Sequence, residues 1–180
     1  MDELTLIHNC VKGDPVAQRK LFEKFAPKMM TVCLRYLKDV QEAEDVLQDG
    51  FIKIFQKIDA YQFTGSFEGW MRKIIVNTAL DQIRRNRKMG FSEEFDTIEY
   101  KMESSDHIFE DLVAQDLMKL IANLPDGYKV VFNMFAIEGY SHKEIGELLG
   151  ISENTSKSQF SRARAYLRNK LETLKIEYGR

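Results

Sequence analysis

Three stretches of this 180-residue chain bring side chains with chemical reach close together. The first, "YQFTGSFEGWMRK" from Tyr61, gathers Tyr61, Phe63, Phe67 and Trp70 around Gly65 and Gly69. Rings beside glycine most simply plug the edge of a core, yet these stand ahead of a basic segment that ends in "RRNRK". In that second segment Asn77, Asp81, Arg84, Arg85 and Lys88 share one face if it is helical, at ~100° per residue. Such a row suits phosphates and base edges, and it also suits plain solvation. The third stretch, "ENTSKSQFSRARAYL" from Glu153, turns Asn154, Thr155, Ser158, Ser161 and Arg162 to one side, flanked by Lys157, Gln159 and Arg164. Short polar side chains at a helix start allow close approach to a DNA major groove, where Arg and Gln can hydrogen-bond base edges and Lys can neutralise phosphate.

Catalysis has no comparable set of residues. The chain contains no GxxxxGK[ST], HExxH or GxSxG pattern, and its three histidines are scattered at His8, His107 and His142. Cys10 and Cys33 lie at helical positions without CxxC or Cys/His spacing, which points to buried free thiols rather than a disulfide or a metal site. The expectation is therefore a protein that is not an enzyme and carries neither metal nor cofactor.

Composition is that of a soluble globular protein, with 44% apolar and 30% charged residues. No apolar run approaches the ~18 residues needed to span a bilayer. The start "MDELTLIHNC" is acidic and lacks the regions of a signal peptide, so a cytoplasmic protein is expected. A net charge of −2 argues against a nucleic-acid partner, but the average hides the pattern. Residues 1–90 carry 15 Lys and Arg against 12 Asp and Glu, residues 91–116 carry 1 against 9, and residues 117–180 carry 10 against 7. Two mildly basic blocks flank an acidic bridge.

The elements that must position these side chains read as helices throughout. Asp14 and Pro15 open a helix that carries Leu21, Phe22, Phe25, Met29, Val32, Cys33 and Tyr36 at three- and four-residue spacing, with a kink expected at Pro27. In "VQEAEDVLQDGFIKIFQKI", Ala43, Val46, Leu47, Gly50, Phe51, Ile54 and Ile58 form one side and Glu44, Asp45, Gln48, Asp49 and Lys53 the other. A third helix runs from about Phe67 to Lys88, with Val76, Ala79, Leu80 and Ile83 inward. The bridge "FSEEFDTIEYKMESSDHIFED" lacks periodicity and reads as a linker. Two short apolar helices follow, separated by Pro125 to Gly127. The expected fold is all-α: a helical domain over residues 1–90, an acidic linker over 91–110 and a second helical domain over 111–180.

In the second domain "EGYSHKEIGELLGISENTSKSQFSRARAYLRNKL" is unusually well punctuated. Ser141 and Glu144 make a capping-box pattern, Ile145, Leu148 and Leu149 a buried stripe, Gly150 a left-handed end, and Ser152 the next cap. Phe160, Ala163, Leu167, Leu171 and Leu174 continue the inner stripe, with Ser156 in line. Two helices joined by so short a glycine-containing turn are the DNA-binding helix-turn-helix arrangement.

Taken together, four segments in order resemble a bacterial RNA polymerase sigma factor of the small, two-domain extracytoplasmic-function group. They are "AEDVLQDGFIKIF" from Ala43, "WMRKIIVNTALDQIRR" from Trp70, "LPDGYKVVFNMFAIEGYSHKEIGELLGIS" from Leu124 and "TSKSQFSRARAYL" from Thr155, and the match covers nearly the whole chain. The resemblance implies that the first domain binds the polymerase clamp and melts the downstream (−10) promoter element, while the second reads the upstream (−35) element. It places Asp45, Gln48, Asp49 and Lys53 at clamp-docking positions. It makes the loop from Tyr61 through Phe63 to Phe67 a base-capture loop, with Asn77, Arg84, Arg85 and Lys88 on the melted strand; stacking of unpaired bases needs such rings, glycines and cations. Trp70 falls at a packing position. Asn154, Thr155, Lys157, Ser158, Gln159, Ser161 and Arg162 become upstream-element contacts. The implied partners are core RNA polymerase, through its clamp and flap, and promoter DNA both double-stranded and melted. The resemblance leaves room for an anti-sigma factor and implies no membrane insertion.

Departures from the family pattern concern packing and base preference. Gly146 stands where Ala is common and Ser156 replaces a usual aliphatic, so both are expected to soften local packing by removing apolar surface. Gln159 stands where relatives often carry Arg, and Ser161 replaces a bulkier residue. The acidic bridge fits both an RNA-like strand in the polymerase channels and plain solubility. A stand-alone regulator with a sensor domain would share the C-terminal half, and a protein-binding adaptor would lack salt-sensitive DNA affinity. The acidic helix, aromatic loop and basic helix in the first domain separate these readings from a sigma factor.

Overall fold

Aspartate side chains open the first three helices of the protein, whose computed structural model describes residues 2–88 and 114–177. The acidic bridge at 91–110 lies outside the described residues, as do the side chains of 87–88, 114–116 and 174–177. The fold is all-α, with no strand among the described residues, and it separates into two units, Met1–Met89 and Gly90–Arg180.

The first unit holds α1 (Glu3–Val11), α2 (Pro15–Tyr36), α3 (Val40–Lys57), a 3-10 turn (Ile58–Ala60) and α4 (Phe67–Lys88). The Asp2 carboxylate accepts from the Thr5 amide at 2.7 Å, Asp14 from Val16 at 2.9 Å and Asp39 from Gln41 at 2.6 Å, each satisfying an amide that the helix start leaves unpaired. Helix α1, read from sequence only as the helical setting of Cys10, buries Leu6, Ile7 and Cys10 against α2. Helix α2 runs through Pro27, which lies inside it. The stripe expected on α3 is buried at every position, from Ala43 to Ile58, and α4 covers it with Met71, Ile75, Val76, Ala79 and Leu80. Each fully buried Leu, Ile or Met contributes roughly 1.5–3 kcal/mol. Burial pushes the Cys10 thiol up to about 11 and Cys33 up to about 12, so both are poor nucleophiles.

The second unit holds α5 (Ala114–Ala122), α6 (Asp126–Phe132), a π-helical turn (Asn133–Ile137), α7 (His142–Leu149) and α8 (Glu153–Glu177). Helices α6 and α7 both pack on α8, and Ile121, Leu124, Tyr128, Ala163 and Leu167 form a core cluster. The expected capping box is present: the Ser141 Oγ accepts from the Glu144 amide at 3.2 Å, and the Glu144 carboxylate accepts from the Ser141 amide at 2.8 Å. Gly150 ends α7 in the left-handed conformation at φ 68°, which costs glycine nothing. Two residues later the Ser152 Oγ accepts from the Thr155 amide at 2.9 Å and starts α8.

Gly146 behaves opposite to expectation. A Cβ there would stand 2.8 Å from the Ile151 carbonyl oxygen, because the turn folds back over α7 and Ile151 donates its amide to the Gly146 carbonyl at 3.0 Å. Backbone, not vacancy, occupies the space a methyl would fill. Gly146→Ala should therefore destabilise the protein by about 1–3 kcal/mol, as overpacking does, read as a lower urea midpoint; an unchanged midpoint would show that the turn yields freely.

Candidate nucleic-acid interface

In the first unit the aromatic loop is built outward from a buried anchor. Tyr61 is only 8% exposed, and its hydroxyl donates to the Gly65 carbonyl at 2.8 Å, tying one end of the loop to the other. Its ring meets Phe67 at 5.1 Å and Trp70 at 5.6 Å, and Phe67 is 1% exposed, edge-on to Phe25. The Ser66 Oγ accepts from the Gly69 amide at 3.1 Å and so caps α4. Tyr61 and Phe67, expected to catch bases, are packed instead of presented in this structure, their apolar area buried where α2, α4 and the loop meet. Trp70 packs, as expected, stacked on Phe67 at 5.5 Å.

Phe63 is the exception. It is 60% exposed, rests one side of its ring on Tyr61 at 4.8 Å, and has φ 58°. A bulky residue in the left-handed region costs on the order of 1–3 kcal/mol and persists only where its surroundings impose it. The buried Tyr61 ring beneath it and the Tyr61–Gly65 hydrogen bond across the loop frame this position.

On α3, Glu44, Asp45, Gln48 and Asp49 are exposed as expected. Lys53 belongs elsewhere: its ammonium donates to the buried Thr78 hydroxyl at 3.2 Å and lies 3.6 Å from Asp81, both on α4. It joins α3 to α4 rather than standing free on the exposed α3 face. A second link joins the same helices near the start of α3, where Asn86 donates to Glu42 at 2.9 Å and accepts from Gln82 at 3.2 Å. Along α4, Asn77, Arg84 and Arg85 are exposed, and Arg84 pairs with Asp81 at 3.0 Å. That exposed pair is worth ~0–1 kcal/mol and can yield to a phosphate. The Lys88 side chain is outside the described residues.

In the second unit α8 presents Asn154, Lys157 and Ser158 to solvent, with Thr155, Ser161 and Arg162 half-buried. The Thr155 hydroxyl is 2.8 Å from Ser152 Oγ, and the Ser158 hydroxyl donates to the Thr155 carbonyl at 2.9 Å, leaving its lone pairs to accept. Lys157 pairs with Glu153 at 2.6 Å, and this hydrogen bond holds the Glu153 carboxyl below its usual range. Gln159 corrects the reading: it is 4% exposed, on the same stripe as Ser156 and Ala163, and its Oε1 is buried without a hydrogen-bond partner. It faces the core, not a groove.

Sequence reasoning also passed over a cluster beside this helix. His142 stacks on Phe135 at 4.2 Å and 10°, and its Nδ1 lies 2.9 Å from the hydroxyl of Ser156, which is fully buried. The signal was a hydroxyl on an inner stripe, since a buried hydroxyl needs a partner. Ser156 is thus hydrogen-bonded within the packing.

Among the described residues, no helix is long and apolar enough to cross a membrane and no group of three or more His, Cys, Asp or Glu is placed to hold a metal ion. Comparison with known proteins matches residues 21–89 to the family described as Sigma-70 region 2, and residues 114–167 to Sigma-70, region 4. The chain is 31% identical over 156 residues to the ECF RNA polymerase sigma factor SigE of Mycolicibacterium smegmatis, covering 84% of this chain and 60% of that protein. It is 30% identical over 174 residues to SigW of Bacillus subtilis, covering 91% of this chain and 93% of that one. Among solved structures, the sigma factor RpoE of Bartonella quintana, in complex with the anti-sigma factor NepR, has a similar fold at a TM-score of 0.51 and 22% identity, covering 86% of this chain and 96% of that one.

The buried amide of Gln159 generates a prediction. Gln159→Met keeps the volume and removes an unsatisfied acceptor, so it should raise stability by up to about 1–3 kcal/mol and leave DNA affinity unchanged. A loss of affinity would show that the side chain swings outward on DNA.

Proposed function

We propose a division of labour for a chain that belongs to the ECF RNA polymerase sigma factors of the sigma-70 family. Directing RNA polymerase to promoters, and so setting where transcription starts, is its function. Its α3 face, through Asp45, Gln48 and Asp49, docks on the polymerase clamp. Charged and amide groups on a rigid helix supply orientation and partner choice more than affinity. Lys53 acts behind that face by fixing α4 to α3. Phe63 takes an unstacked base of the downstream element, and Asn77, Arg84 and Arg85 follow the strand. In the second unit Asn154, Thr155, Lys157, Ser158, Ser161 and Arg162 meet the upstream element, with α8 in the major groove.

The observation that carries this reading is the presentation of Phe63. A ring on a strained residue that rests on Tyr61 and is still 60% exposed leaves most of its surface uncovered. Base–aromatic stacking covers it, at about 1–3 kcal/mol per base. The acidic docking face and the cationic α4 favour a sigma factor over a stand-alone regulator, which needs neither. Bond making belongs to the polymerase, so this chain works as a non-enzymatic subunit in the cytoplasm, where transcription takes place. An anti-sigma factor, the partner bound to the Bartonella relative, is extended to this chain as part of the same proposal.

Run-off transcription with purified core polymerase, mapping the starts that appear only when this protein is added, tests the reading. New starts sharing spaced upstream and downstream elements are expected. Replacing both Asp45 and Asp49 by Ala should lower polymerase affinity on the order of tenfold and remove those starts. Unimpaired holoenzyme formation by the double variant would take α3 out of the interface.

A further inference from the structure

We propose that His142 is a positioning residue for upstream-element recognition: through Ser156 it sets the placement of the first turns of α8, and with them Thr155 and Lys157. The inference rests on the reading of α8 as the DNA-contacting helix. Three elements converge on one imidazole. It sits at the first position of α7, locked behind the Ser141–Glu144 capping box. Its face lies on Phe135 of the π-helical turn at 4.2 Å, and Phe160, one turn beyond Ser156 on α8, closes against Phe135 at 4.6 Å and the imidazole at 5.8 Å. Its Nδ1 reaches the buried Ser156 Oγ at 2.9 Å. Ser156 lies between Thr155 and Lys157, so the bond fixes the backbone from which both project. An aliphatic side chain at 156 would pack there but would not set a direction, because dispersion is not directional in the way a hydrogen bond is.

Protonation should loosen this setting. Facing the ring from α8 are Lys157, which repels a charged imidazole, and Glu153, which attracts it; Lys143 and Glu144 follow it on α7, and Glu138 and Tyr140 precede it. The helix start adds a further unfavourable field for a cation. Burial first and Lys157 second hold the imidazole below its ordinary 6.5. The neutral ring is thus the form the fold prefers, and its contribution is complete above pH 6.5 and lost as pH falls through the lowered value.

The test uses holoenzyme and a promoter fragment mapped by run-off transcription, competed against the same fragment with its upstream element scrambled, at pH 8 and pH 5. The readout is the ratio of the two affinities. His142→Ala and Ser156→Val should each lower that ratio about five- to tenfold at pH 8, and the double variant should lose no more than either alone, as contacting residues do. His142→Asn, which offers an amide near the Nδ1 position and does not titrate, should keep most of the ratio and hold it at both pH values. The unsubstituted protein should lose ratio on acidification. A ratio preserved in His142→Ala, or the same acid loss in His142→Asn, overturns the proposal. Should His142→Ala fail to fold, the Asn variant and the unsubstituted pH profile decide alone. No discrimination by the unsubstituted protein at either pH would instead remove the functional reading, and this inference with it.

Discussion

Each principal helix of this protein has one apolar stripe, and burying that stripe decides which side chains remain for a partner. The consequence is sharpest on α3, which packs on both α2 and α4: once Val46, Phe51 and Ile54 are buried, the carboxylates of α3 have only one direction left. The loop between these helices obeys the same rule with rings in place of aliphatic residues. Tyr61, Phe67 and Trp70 close the end of the core, and the Tyr61 hydroxyl ties the chain at Gly65 across the residue that carries the fourth ring. Phe63 is left outside by geometry. What looks like a cluster of four available aromatics is one presented ring on a three-ring base.

Polar contacts then refine what burial has arranged. Lys53 and Asn86 tie α4 to α3, while the ion pairs on the exposed faces, Arg84–Asp81 and Lys157–Glu153, are short-range and solvent-screened. Such pairs orient cations at little cost and exchange readily for phosphate oxygens. This is how a chain with net charge −2 can still offer cationic faces to nucleic acid. In the second unit the same logic runs through a backbone contact: the turn over Gly146 and the left-handed Gly150 bring α7 and α8 together, and the His142–Ser156 bond fixes a detail that packing leaves loose.

Period and punctuation made much of this legible in the sequence. The stripe of α3, the span of α4, the capping box at Ser141 and the glycine end at Gly150 follow from spacing and residue type, and the structure places them as read. What spacing could not supply was the fate of side chains outside a helix's register. Tyr61 and Phe63 have the same composition-level signal and opposite burial, because tertiary contacts decide which ring is covered. Gln159 shows a different failure: positions 156, 159, 163 and 167 follow a helical stripe, but a polar residue type masked the pattern. Lys53 illustrates the limit of a one-helix view, since its partners lie on α4.

The claim at the centre of this account is that one presented ring, Phe63, captures a base while its buried neighbours only hold the loop. Strand opening by holoenzyme, followed by fluorescence of 2-aminopurine placed in the downstream element of a mapped promoter, tests it directly. Phe63→Ala should cut opening about tenfold, the loss of a stacking contact of ~1–3 kcal/mol, while upstream-element binding and polymerase affinity stay as they are. Opening at the unsubstituted level in Phe63→Ala would contradict the account and return the ring to the surface as a bystander.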